Sequence, residues 1–277
     1  MTRKKVTAPV RIDFGGGATD IAPFTYTHGG AVLNAAINKY ITGELIATDE
    51  RVGLKYSGNI PTSSGLGTSG VMNLVWLALI SKTKDKIRLA ETVYGLEQGM
   101  GVVGGKQDQY ASALGGINFF EFKGDKVEII RLRLKKRVIR ELEEKLVLVY
   151  TGKPHYQANK PVIEDLKKGK NTQNLLSIKR IALEMKDALL EGNLLHFAEL
   201  MNEETMERKK LHSSIVPQRI GRIIQSGMKN GAIGAKICGS GNGGCVLFFC
   251  NDPLKLKKNF KGKIIEFKFD WKGLRWN

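Results

Sequence analysis

Residues 61–80 read PTSSGLGTSGVMNLVWLALI. The second half, VMNLVWLALI, is apolar all round and too long for an ordinary strand, so it predicts a buried helix. The first half is a Pro/Ser/Gly loop that feeds this helix directly. Glycines let successive backbone N–H groups turn towards an anion, and a helix N-terminus carries partial positive charge. Pro61, Ser63, Ser64, Gly65, Leu66, Gly67, Thr68 and Ser69 therefore form a candidate phosphate-binding loop, with hydroxyls of Ser63, Ser64, Thr68 and Ser69 as further donors or metal contacts. The stretch does not match the G-x-x-x-x-G-K-[ST] phosphate loop. An ordinary flexible turn is the competing reading, and the helix directly behind the loop favours phosphate.

Outward from this loop, residues 6–14 (VTAPVRIDF) alternate Val6, Ala8, Val10, Ile12 and Phe14 with polar or small neighbours, a strand of period two. Arg11 and Asp13 share its other face, and it runs into GGGATD. AVLNAAI and YITGELIAT read as two further strands, followed by RVGLKY. On the C-terminal side, residues 86–98 have helical period, with Ile87, Ala90, Val93 and Tyr94 on one face. GINFFEF and KVEIIRLRL predict a hairpin about Gly124-Asp125, and LVLVY at 146–150 another strand. Beyond Thr151-Gly152 helices dominate, at 177–190, 193–210 and 217–230. AIGAKIC, a glycine-rich turn and CVLFFC make a strand–loop–strand unit, and KIIEFKF a last strand. A domain boundary is expected near residues 150–160.

Composition narrows the function. With 277 residues and 42% hydrophobic content the chain can bury a sizeable core. It has no run of 18 apolar residues, so no membrane span is expected. Its basic N-terminus lacks an apolar signal region, which makes the cytoplasm the default. The net charge of +17 suits anionic ligands or a well-solvated surface. The basic residues are spread along the chain without interleaved aromatics, which argues against nucleic acid. Cys238, Cys245 and Cys250 have no CxxC spacing and read as reduced structural thiols, and the four histidines form no metal-ligand pair.

Three acids stand out. Glu97 falls on the apolar stripe of its helix, where a carboxylate needs a cation or donors; a magnesium ion carrying phosphates, or a salt bridge, would satisfy it. Asp108, in GGKQDQ, can accept a proton from a substrate hydroxyl or cap the following helix. Asp20 ends the GGGATD turn, as a sugar-hydroxyl acceptor or an N-cap. Lys106 is either a phosphate-binding cation or a surface lysine. The CGSGNGG turn, with Gly239, Ser240 and Gly241, suits close backbone approach to substrate or phosphate.

In this order, APVRIDFGGGATD, PTSSGLGTSG and KICGSGNGGC resemble the three motifs of the GHMP kinases, across nearly the whole chain. GGGATD, VVGGKQDQYASALGGINFFEF and YTGKP are most similar to the branch that includes D-glycero-D-manno-heptose 7-phosphate kinase. The resemblance implies an α+β fold: an N-terminal ATP-binding domain with a left-handed β-α-β crossover (1–152) and a ferredoxin-like C-terminal domain (153–277). It implies ATP and Mg2+, with Ser69 and Glu97 as metal ligands, Asp108 as the catalytic acid, and Arg11, with Lys106 as a further candidate, offsetting charge at the γ-phosphoryl. Gly16, Gly17, Asp20, Gly105, Lys106, Gly239, Ser240 and Gly241 would lie at the sugar or sugar-phosphate acceptor, with Lys153 and His155 as candidates for its far-end phosphate. Gly17-Ala18 replace the Glu-His of galactokinase. A monomer or homodimer without nucleic-acid or membrane partners is expected. A non-sugar alcohol as acceptor, and a silent sugar-sensing relative, are the alternatives.

Overall fold

The computed structural model describes residues 2–152 and 159–277. Strand β1 (Thr2–Gly15) buries Val6, Ala8, Val10, Ile12 and Phe14 completely, as its period requires. Its other face is buried too, with Arg11 and Asp13 only 4% and 1% exposed. After the short α1 (Phe24–Thr27) comes β2 (Gly30–Ala47), which runs unbroken through both strands expected there. The pairing with β1 shifts between Pro9↔Tyr40 and Val10↔Ile37, so β2 carries two extra residues opposite a proline that cannot donate a ladder bond.

The far half of β2 pairs with β3 (Val52–Gly58). The chain then makes α2 (Thr68–Ile80), α3 (Lys86–Gly99) and α4 (Gln107–Leu114) before β4 (Ile117–Lys123) returns to the near half of β2 on the same edge. β3 and β4 are both antiparallel to β2, so they run in the same direction, joined through helices. β5 (Lys126–Arg131) closes the expected hairpin at Gly124-Asp125. Two helices differ from their sequence reading. α2 buries Val71, Leu74, Val75, Ala78 and Leu79 but exposes Met72, Trp76 and Ile80, so it is covered on one side rather than all round. In α3 the buried stripe is Leu89, Ala90, Val93 and Glu97, and Ile87 is 43% exposed.

α5 (Lys136–Lys145) leaves little apolar period in the sequence, because it buries only Val138 and Leu142. Then follow β6 (Leu146–Tyr150), α6 (Asn159–Lys167), α7 (Thr172–Glu191), α8 (Leu194–Leu211) and α9 (Gln218–Lys229). The chain ends with β7 (Ala232–Ile237), β8 (Cys245–Cys250), α10 (Pro253–Asn259), β9 (Ile264–Ile265) and β10 (Arg275–Trp276). The second sheet has the order β7-β8-β6-β9, antiparallel throughout. Only Ile264 and Ile265 of the expected last strand KIIEFKF are in the ladder. The three cysteines are buried and unpaired. Among the described residues no helix is long and apolar enough to cross a membrane.

The sheets cut the chain differently from a division at 152/153. β6 is an inner strand of the second sheet, while β10 joins the first sheet on the free edge of β1. One apolar core joins the two layers, through Phe14 of β1, Met185 of α7, Phe197 of α8 and Phe249 of β8. The tail is tied down by Leu274, 1% exposed, and by the Trp276 indole N–H on the Ala78 carbonyl at 3.2 Å. Leu274→Ala should therefore cost about 2–5 kcal/mol, the range for truncating a buried leucine. Urea unfolding of the two proteins measures this, and a loss below about 1 kcal/mol would make the tail an accessory.

Candidate functional site

Arg11, in the middle of β1, organises the site. Its Nε donates to Asp108 Oδ1 at 2.8 Å, and its Nη2 lies 2.7 Å from the same oxygen. Its Nη1 donates to the Gly65 carbonyl at 2.7 Å, and its backbone N–H to Leu66 O at 3.1 Å. One side chain thus fixes both the glycine loop before α2 and the acid in the first turn of α4. Asp108 is pressed against that loop. A Cβ on Gly67 would lie 3.0 Å from the Asp108 carboxyl carbon, and Gly67 has φ +76°, so glycine is required there twice over.

The glycines of 239–244 exceed what a hairpin needs because they pack against the first loop. A Cβ at Gly65 would be 2.7 Å from Cys238 O, one at Gly239 2.6 Å from Gly65 O, and one at Gly244 2.4 Å from Ser64 O. The two loops interlock backbone to backbone, one from each half of the chain.

A cleft of about 460 Å³ opens beside them. Arg11, Gly17, Asp20, Ser63, Gly67, Thr68, Ser69, Glu97, Gly105, Asp108, Gly239 and Ser240 all line it, as does the Gly101–Gly104 loop. Of the expected site residues, several do not line it. Leu66 is in the core, and Ser64 and Gly65 face the other glycine loop. Pro61 is exposed, away from the cleft. The Gly16 N–H donates to Glu204 at 3.2 Å, and Gly241 abuts Ile215. Lys106 is turned away: its ammonium bonds both Glu91 oxygens at 3.0 Å and Asp125 O at 2.7 Å, over the Tyr94 ring. That ion pair holds the glycine loop from behind, so the Lys106 charge is spent there. Lys153 and His155 lie outside the described residues.

Glu97 receives Asn73 Nδ2 at 2.7 Å and Gln109 Nε2 at 2.5 Å, and no lysine or arginine pairs with it among the described residues. Burial, and then the Asp108 charge, push its carboxyl above the usual range against these donors. A buried acid with amide partners only among the described residues, lining the same cleft as Ser69, is a hard-oxygen set suited to Mg2+, which takes few protein ligands and the rest from phosphates. No cluster of three His, Cys, Asp or Glu suited to a metal occurs among the described residues. Asp20 is 3% exposed; its Oδ2 accepts the Gln107 N–H at 3.3 Å and its Oδ1 has no partner among the described residues. Burial, then the neighbouring Asp108 charge, push it up to about 6.

Beneath the cleft lies a charge network absent from the sequence reading. Lys236 Nζ is 2.6 Å from Asp13 and 3.2 Å from Glu204, with Arg208 Nη1 4.0 Å from Asp13, and all four side chains are buried. Although burial opposes it, Lys236, Arg11 and Arg208 hold Asp13 below the usual carboxylate range, whereas burial wins at Glu204 and raises it. The available signal was a lysine inside an apolar strand (AIGAKIC) and the Glu204/Arg208 pair one turn apart on a buried helix.

The GHMP kinases N terminal domain family matches residues 31–116, and the GHMP kinases C terminal family residues 185–259. The chain is 28% identical to a D-glycero-alpha-D-manno-heptose 7-phosphate kinase of Campylobacter jejuni, over 98% of each chain. It is 26% identical to a bifunctional fucokinase/GDP-fucose pyrophosphorylase of Arabidopsis thaliana, over 99% of this chain and 32% of that protein. Its fold matches a D-glycero-D-manno-heptose 1-phosphate kinase structure from Bacteroides thetaiotaomicron with TM-score 0.76 and 22% identity, over 99% and 98% of the two chains.

Asp20 offers a direct test of the site's electrostatics. Its carboxyl rises from an ordinary 3.8 to about 6 on folding, so the fold favours its protonated form. That contribution is fully present below pH 3.8 and is lost as pH rises through about 6; the ionised form then costs ~3 kcal/mol. Asp20→Asn keeps the Gln107 bond and removes the charge. It should raise Tm at pH 8, with the gain shrinking towards pH 4. Thermal unfolding across this range checks the sign, and an equal gain at both ends would rule out titration of Asp20.

Proposed function

We propose that this chain, which belongs to the GHMP kinases, is an ATP-dependent sugar kinase whose chemistry centres on Asp108 and whose acceptor is a sugar phosphate. The observation that carries the reading is the seat of Asp108. It is ion-paired to buried Arg11 and pressed against Gly67 at the N-terminus of α2. A carboxylate held there lies beside the place where helix dipole and loop N–H groups favour phosphates.

The γ-phosphoryl passes directly to the acceptor. The hydroxyl oxygen forms its bond to phosphorus as the bond to the β-phosphate oxygen breaks. ADP leaves, and the hydroxyl proton goes to Asp108. Little covalent work falls to the protein in such a transfer; positioning and charge neutralisation supply most of the rate. Arg11 fixes one Asp108 oxygen and leaves the other for the hydroxyl. Gly67, Thr68 and Ser69 receive the phosphates. Glu97 and Ser69 would hold Mg2+, which when bound neutralises phosphate charge. Asn73 and Gln109 keep the Glu97 carboxylate aimed. Asp20, which lines the cleft, accepts a hydrogen bond from a sugar hydroxyl. The Campylobacter relative's name, and Gly17-Ala18 in place of bulkier residues, support a heptose 7-phosphate phosphorylated at the anomeric hydroxyl.

Asp108→Asn should keep ATP affinity within a few-fold and lower kcat by at least roughly 10²-fold. ADP release with a panel of sugars and sugar phosphates measures it, and near-wild-type turnover would remove Asp108 from the chemistry. Glu97→Gln should raise the Mg2+ concentration for half-maximal activity. An unchanged magnesium titration with a lowered Tm would make Glu97 structural.

A further inference from the structure

Arg208, on α8, lines the cleft, although only 2% of it is exposed. Its Nη2 donates to Gly239 O at 2.6 Å, and its Nε is buried with no partner among the described residues. The nearest carboxylate, Asp13, is 4.0 Å away and is already taken by Lys236 at 2.6 Å and the Gly239 N–H at 3.0 Å. Among the described residues three cations line the cleft: Arg11, Lys160 and Arg208. Arg11 is committed to Asp108. Arg208 thus brings to a pocket that must accept an anion a guanidinium that no carboxylate approaches within hydrogen-bond distance among the described residues.

The neighbouring loop is shaped around it. A Cβ on Gly17 would lie 2.4 Å from Arg208 Nη1. Gly17 does not have the positive φ of its neighbour Gly16, so its backbone does not call for glycine. The space does. Nor can the loop retreat, since the Thr19 hydroxyl bonds Gly16 O at 2.7 Å and accepts the Ala31 N–H at 3.0 Å. Any side chain at 17 must push the guanidinium aside.

We infer that Arg208, admitted by Gly17, is the anion anchor of the acceptor site: it binds the phosphate at the end of the sugar remote from the reacting hydroxyl, with exposed Lys160 as a second cation. The guanidinium fork matches two phosphate oxygens, and the buried setting strengthens the contact. The inference rests on the sugar-kinase reading and adds the residue that selects a phosphorylated sugar over a neutral one.

The test compares D-glycero-D-manno-heptose 7-phosphate with the unphosphorylated heptose, as the ratio of their kcat/KM values, in wild type, Arg208→Gln, Arg208→Lys and Gly17→Ala. The wild type should favour the phosphorylated sugar. Arg208→Gln should lower the ratio by at least about 30-fold, mainly through KM of the sugar phosphate. Arg208→Lys should fall between. Gly17→Ala, which leaves the buried network its full charge, should lower the ratio as well, and it carries the test if Arg208→Gln does not fold. Heptose 7-phosphate should raise the Tm of wild type more than that of Gly17→Ala. An unchanged ratio in either folded variant would overturn the inference. So would a raised KM for ATP with the ratio preserved, which would give Arg208 to the nucleotide. Wild-type turnover of both sugars without preference sinks the anchor alone, whereas turnover of no sugar sinks the kinase reading beneath it.

Discussion

The guanidinium of Arg11 has to be satisfied inside the protein, and the site is the set of groups that satisfy it. At 4% exposure it has almost no water to turn to. A carbonyl of the glycine loop and one oxygen of Asp108 take its donors. A buried ion pair of this kind adds little net stability, because desolvation offsets most of the attraction, but breaking it leaves an uncompensated charge. Its value is geometric. Strand, loop and helix reach the same point from residues 11, 65 and 108, and none can shift without stranding a charge.

The second constraint is closeness. Two loops whose carbonyls and α-carbons touch can have no side chains between them, so glycine at 65, 239 and 244 is a packing requirement between the halves of the molecule. The same geometry explains why Asp13 and Lys236 are charged and buried. Asp13 accepts the Gly239 N–H and so ties β1 to the second loop, and Lys236 then balances it. Ligand-facing atoms of the cleft are thus held from behind by a layer of ion pairs and amide bonds: Lys106 behind the 101–105 loop, Asn73 and Gln109 behind Glu97.

Much of this was legible in the sequence. The period of β1, a glycine loop feeding a helix, the burial of Glu97 and the hairpin at Gly124-Asp125 are local patterns and are present, although α2 starts at Thr68, inside the expected loop, and the α3 stripe runs through Leu89 rather than Ile87. What stayed hidden depends on partners far along the chain. Lys106 reads as a free cation until Glu91 and the Asp125 carbonyl are seen around it. Arg11 and Asp13 read as the outer face of a strand because alternation does not tell a solvated face from one covered by a second layer. The continuity of β2 was concealed by the bulge opposite Pro9, and β10 by its length, two residues whose only pattern is their pairing with Val6 and Thr7. Gly17 is the instructive case. Its neighbours have glycine-like backbones, but at 17 the reason for glycine is the position of Arg208, almost two hundred residues away, whose guanidinium any side chain there would displace.

The pairing of β10 with β1 also has a temporal side. A ribosome delivers residues 2–15 long before 275–276, so this edge of β1 stays unpaired while all the residues between them are being made. An open strand edge is a template for other chains. Contacts between residues so distant in sequence also form late, since closing a long loop must precede any gain from them. A nascent or truncated product that lacks residues 275–276 would therefore expose one seam, along Val6 and Thr7, which β10 covers once it is made.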